Sequence, residues 1–114
     1  MKISTEVKNQ EGVVVISVDE ATIDHSNSAS FKEKLFLEIA DGNSKIIINL
    51  QNVNEMDSSG LGALLFGKRQ ANHAGGDAIL VGVQPAVHSM LRIAQLSRVF
   101  SIYDTTDEAV ASFE

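Results

Sequence analysis

The run Met56-Asp57-Ser58-Ser59-Gly60-Leu61-Gly62 gathers the residue types best able to take part in chemistry. An acid directly precedes two adjacent hydroxyls, and two glycines follow. The run comes after an apolar strand candidate, Lys45 to Leu50, and opens a helical-period segment, Leu61 to Phe66. A small polar residue at the mouth of a helix commonly caps it by accepting a backbone amide. Two serines in tandem exceed what one cap requires. Glycine in a helix interior costs about 1 kcal/mol relative to alanine. Taken alone the run reads first as a loop with an N-cap; the cost of Gly60 and Gly62 in a first turn is easier to accept if close approach by a partner needs the bare backbone. A phosphate on a serine here would be tolerated, because a helix N-terminus favours anions.

Enzymatic readings of the same residues fail on spacing. A serine nucleophile on a strand-to-helix elbow needs Gly-x-Ser-x-Gly. The residues two before Ser58 and Ser59 are Met56 and Asp57. A dinucleotide fingerprint needs a third glycine where Leu65 stands, and Gly67-Lys68 is followed by Arg69 instead of the Ser or Thr of a phosphate loop. The chain has no Cys, which removes thiol nucleophiles, thiolate metal sites and disulfides together. His25, His73 and His88 have no ligand spacing. The expectation is no catalytic residue, no metal and no cofactor.

Charge narrows the partners. The formal net charge of -6 repels nucleic acid, and Lys68-Arg69 is the single adjacent basic pair. Any effect on transcription would pass through another protein. The N-terminal residues lack an apolar signal core, and no stretch approaches the length that spans a bilayer. The expectation is a cytoplasmic protein that does not insert into membranes.

The elements that must position the serine loop can be read by periodicity. At 114 residues, 44% apolar, the chain has the size of one domain, residues 1–114. Ile3, Thr5 and Val7 alternate with polar residues as in an edge strand, and Val13 to Val18 is a continuous β-branched run suited to a central strand. Asn9 to Gly12 is a hairpin turn between them. Asn27 and Ser28 can cap a helix to about Asp41, with Phe31, Leu35 and Ile39 as its buried stripe. Lys45 to Leu50 is a buried strand, and the second helix runs from about Ser58 to Ala74 with Leu61 and Leu65 inward. Ala78 to Val83 is a strand. Pro85 opens a third helix with Val87, Leu91 and Ala94 inward beside Met90. Val99 to Tyr103 is a last strand and Thr106 to Phe113 a terminal helix. Strand-helix alternation after an initial hairpin predicts an α/β fold: a mixed sheet of about five strands, largely parallel, with about four helices.

The serine run, set between these elements, resembles the phosphorylation loop of anti-sigma factor antagonists, which are stand-alone STAS domains. The resemblance extends over most of the chain. It takes in the buried strand before the loop, Gly60 to Leu65, the Gly75-Gly76 helix stop, Gln84-Pro85-Ala86-Val87 with Leu91 and Leu96, and Val99 to Tyr103. It implies that Ser58 is the phosphate acceptor. It implies that Asp24, Asp57, Ser59, Gly60 and Gly62 form the partner-binding surface. Asp24 matches an acidic position of the family before the first helix. Ala21-Thr22-Ile23 departs from the glycine and acid usual there, which bears on local loop shape and partner choice.

The resemblance further implies a bacterial partner-switching regulator, not an enzyme, monomeric when free. Unphosphorylated, such a protein binds an anti-sigma factor serine kinase of the GHKL ATPase type and releases a sigma factor. The kinase phosphorylates the serine with its own ATP and Mg²⁺, and a PP2C-type phosphatase resets the switch. A rival reading is a STAS subunit of a lipid or organic-anion transport complex without a phosphorylation cycle. A small-molecule or nucleotide sensor ranks third. Phe66 on the second helix reads first as a core residue; an aromatic and Arg69 beside a binding loop are also candidates for interface anchors.

Overall fold

The chain begins as a hairpin whose geometry is set by two residues. In the computed structural model, which describes residues 3–114, β1 (Thr5–Gln10) and β2 (Val13–Val18) pair antiparallel from Thr5 against Val18 to Gln10 against Val13. The turn is therefore Glu11-Gly12 alone, tighter than the four-residue turn expected. Both residues have positive φ, 55° and 82°, the backbone that a two-residue hairpin needs to match strand twist. β1 starts at Thr5, so Ile3 lies outside the ladder and packs beside the core.

The remaining elements follow as β3 (Thr22–Ile23), α1 (Ser28–Ala40), β4 (Lys45–Asn49), β5 (Glu55–Met56), α2 (Ser58–His73), β6 (Asp77–Val81), α3 (Pro85–Ile93), β7 (Ile102–Tyr103) and α4 (Thr106–Ser112). The main sheet has the order β1-β2-β4-β6-β7, parallel throughout except at β1. Five strands, mixed, with four helices is the architecture the alternation predicts. The strands β3 and β5 are a second, two-residue parallel ladder that periodicity does not reveal.

The inner strands β2, β4 and β6 are covered on both faces, which is why they are apolar on both. Val14, Ile16, Val18, Ile46, Ile48 and Leu80 join a core with Phe31, Leu35, Leu61, Leu64, Val87 and Leu91, supplied by α1, α2 and α3. Val13, Val15, Ile47, Ile79 and Val81 face the other way, onto Ala109 and Val110 of α4. Each large aliphatic side chain fully buried contributes roughly 1.5–3 kcal/mol. With no Trp and five Phe, the core is built chiefly from these β-branched and leucine side chains.

Several helix faces differ from the periodic reading. In α1, Phe31 and Leu35 are buried, Ile39 is half-buried, and Phe36 and Leu37 are 50% and 54% exposed. In α3, Val87 and Leu91 are buried but Ala94, at the helix end, is exposed. In α2 the buried positions are Gly60, Leu61, Ala63, Leu64, Gly67 and Ala71, so Leu64 takes the inward place expected of Leu65. Leu65 is half-buried at the core rim. The reason is that α2 turns Gly60 and Gly67 inward. Gly67 lies against the Leu35 side chain, letting α1 approach closely. The last strand is also shorter than expected. Val99 is in a turn, its amide bonded to the Leu96 carbonyl, and only Ile102–Tyr103 joins the sheet.

Candidate functional site

The β3–β5 ladder brings two loops together. Thr22 pairs with Glu55 and Ile23 with Met56, and each strand ends just before a loop that enters a helix. The Asn54 and Glu55 amides donate to the Ala21 carbonyl, and the Asp57 amide donates to Ile23. Residues 24 and 57 are thus held side by side at one end of the molecule.

Asp57 is the N-cap of α2. Its Oδ1 accepts from the Ser59 amide at 2.9 Å and the Gly60 amide at 3.1 Å, satisfying two of the free donors that every helix start carries. Its Oδ2 accepts from the His25 amide at 3.2 Å, and the His25 ring Nδ1 lies 3.9 Å away. The acid expected at a partner surface is thus seen to tie the two loops together. Ser58, the first residue of the helix, has no capping duty and is exposed. Ser59 is half-buried.

The two glycines have different reasons. At Gly60 the backbone expected to be open to a partner is covered from within. A methyl group there would overlap the Met56 side chain and the Ile23 carbonyl. Glycine lets the first turn of α2 settle against the β3–β5 ladder. At Gly62 a Cβ would meet nothing within 4 Å, so that stretch of helix surface is bare.

The Asp24 loop is built from its own side chains. Asp24 Oδ1 accepts from the Ser26 amide at 2.9 Å and the Ser26 hydroxyl at 2.6 Å, an Asx turn. The Ser26 hydroxyl, then the Ser26 amide, hold the Asp24 carboxyl below the usual carboxylate value; partial loss of solvent opposes this and the neighbouring His25 charge assists it. Asn27, expected as a side-chain cap of α1, makes no cap bond. It is 3% exposed; its Oδ1 accepts from the Asp24 amide and its Nδ2 donates to the Thr22 carbonyl, both at 2.9 Å. It clamps the loop from inside.

Asp24, Asp57, Ser58 and Ser59 are thereby gathered, with Gly60 beneath them and Gly62 one turn along. His25 and Asn27 are the members that spacing misses: His25 lies 32 residues from Asp57, and no local pattern links them. Among the described residues no cluster of His, Cys, Asp or Glu is arranged to hold a metal ion, and no helix is long and apolar enough to cross a membrane.

Fold and site together define a small α/β module that displays a serine at the head of a helix, beside a second acidic loop. The STAS domain family model matches residues 4–109. The anti-sigma F factor antagonist of Paenibacillus polymyxa is 29% identical over 115 residues, covering 100% of this chain and 97% of the relative. An anti-sigma factor antagonist from Mycobacterium paratuberculosis has the same fold, with a TM-score of 0.86 at 26% identity over 98% of this chain and 94% of that one. The Bacillus cell fate determinant SpoIIAA, solved in its phosphorylated form, matches in fold with a TM-score of 0.74 at 24% identity, over 97% of this chain and 100% of that one. This chain belongs to the STAS-domain family of anti-sigma factor antagonists.

Proposed function

We propose that residues 1–114 act as one STAS domain in a partner switch, without enzymatic activity of their own. Unphosphorylated, the protein binds an anti-sigma factor serine kinase of the GHKL ATPase type and so releases a sigma factor. The kinase transfers the γ-phosphoryl of ATP to the Ser58 hydroxyl, and binding ends. A PP2C-type phosphatase hydrolyses the ester and restores the active form. The protein is cytoplasmic, and monomeric when free.

The observation that carries this reading is the division of labour at the head of α2. Asp57 caps the helix, which leaves Ser58 exposed and uncommitted. A phosphate carries about -1.5 to -2 charge at neutral pH. At Ser58 it meets the positive end of α2, which favours an anion by about 0.3–1 kcal/mol. The fold has no strong reason to change. A docked partner would instead have to desolvate that charge together with the carboxylates of Asp57 and Asp24, which costs several kcal/mol if uncompensated. About 1.4 kcal/mol is tenfold in affinity, so a micromolar complex breaks.

The test is incubation with purified anti-sigma serine kinases and ATP-Mg²⁺, followed by mapping of the phosphate and a binding titration. Phosphate is expected on Ser58. Ser58→Ala should stay bound under phosphorylating conditions, Ser58→Asp should bind weakly, and Ser59→Ala should still accept phosphate. Phosphate on Ser59 alone, or Ser58→Asp binding as tightly as the unmodified protein, would sink the assignment.

A further inference from the structure

We propose that the outward face of α2, flanked by Lys32 and Phe36 of α1, is the docking strip for an acidic segment of the kinase that carries apolar side chains; this rests on the partner-switching reading above.

The strip starts at the switch residue. At about 100° per residue, Ser58, Arg69, Gly62, His73 and Phe66 fall within an arc of roughly 80° on α2. The buried positions Gly60, Leu64, Gly67 and Ala71 lie opposite. Ser58, Arg69 and His73 are exposed, and Gly62 contributes bare backbone. Phe66 is half-buried and offers a ring at the surface. Lys32 Nζ stands over that ring, 5.9 Å from its centroid. Phe36, one turn along α1 from Lys32, is 50% exposed.

Beyond its head, where the Asp24 and Asp57 carboxylates lie, the charge of this strip runs against that of the molecule. The chain has 15 acids and a net charge of -6, yet the sixteen residues of α2 include none of them. Lys68 is spent within the fold, 2.5 Å from Asp77 and only 16% exposed. Arg69 and Lys32 are left facing solvent, Lys32 over the Phe66 ring. Arginine and aromatic side chains are the commonest interface anchors, and a basic surface selects an acidic partner and speeds its approach. A second copy of this acidic chain is a poor occupant by the same argument.

The arrangement also links docking to release. A phosphate on Ser58 would sit at the head of the strip that Arg69 and Lys32 make attractive to acid. It would repel the same segment those cations draw in.

The test titrates the unmodified protein, a Lys32→Glu/Arg69→Glu double variant and Phe36→Ser against each purified anti-sigma kinase of the source genome, at low and high salt. All three residues are at the surface, so melting temperatures should agree. The double variant is expected to bind about tenfold more weakly or worse, mainly through slower association, and to lose the salt dependence of the unmodified protein. Phe36→Ser should weaken binding at both salt concentrations. Binding of both variants within about twofold of the unmodified protein overturns the docking strip while leaving the switch intact. Failure of the unmodified protein to bind any of the kinases overturns the switch and the strip together.

Discussion

The Asp57 carboxylate accepts a hydrogen bond from the His25 amide at 3.2 Å, while its other oxygen caps α2 through the Ser59 and Gly60 amides. One side chain thus fixes the start of the serine-bearing helix and fastens the neighbouring loop to it. Asp57→Ala should lower stability by about 0.5–2 kcal/mol, the usual worth of such a cap. The local effect should be larger than that of an ordinary cap: hydrogen exchange at the His25, Ser59 and Gly60 amides should accelerate together. Protection retained at His25 would show that the two loops are held by the β3–β5 ladder alone.

Gly60 and Gly62 should respond in opposite directions. Gly60→Ala forces a methyl group into Met56 and the Ile23 carbonyl. Overpacking of this kind costs about 1–3 kcal/mol. Gly62→Ala enters open space in a helix, where the change contributes roughly 0.4–1 kcal/mol of stability. Denaturant titration of both variants decides it. If the partner uses the bare backbone at Gly62, the stabilised variant should bind the kinase less well.

The two adjacent leucines of α2 separate in the same way. Leu64 is fully buried, and Leu64→Ala should cost about 2–5 kcal/mol. Leu65, at the rim, should cost clearly less when truncated, since it is only partly buried. Equal losses in chemical denaturation would mean that α2 is rotated relative to the sheet.

The Asp24 loop should be sensitive to acid. Its carboxyl is held below the usual value chiefly by the Ser26 hydroxyl and amide. A depressed folded-state value means the contribution is fully present above the unfolded carboxylate value of about 3.9 and is lost as pH falls through the lower, folded one. Ser26→Ala should move the Asp24 titration up toward the ordinary value in an NMR pH series and loosen residues 24–27 at a higher pH. No movement of the Asp24 titration would contradict the Asx turn.

Much of this was legible in the chain, and the reason is periodicity. The β-branched run at Val13 to Val18 and the apolar Ile46, Ile47 and Ile48 announce strands covered on both faces, and the helix at Ser58 to His73 falls where its repeat puts it. The motif at Asp57 to Gly62 marks the serine by residue type and order, which tertiary packing cannot alter. Tertiary structure decided what depends on contact between distant segments. The ladder of Thr22–Ile23 with Glu55–Met56 is too short to carry a period, so only the family resemblance, and no local pattern, implies that Asp24 and Ser58 share a surface. The same holds for Asn27, which has a capping residue's chemistry but is turned inward to clamp its loop. It holds also for Gly60, whose missing side chain makes room for Met56 and Ile23. Sequence patterns record which face of an element is apolar; which neighbour presses against that face is set only when the chain closes.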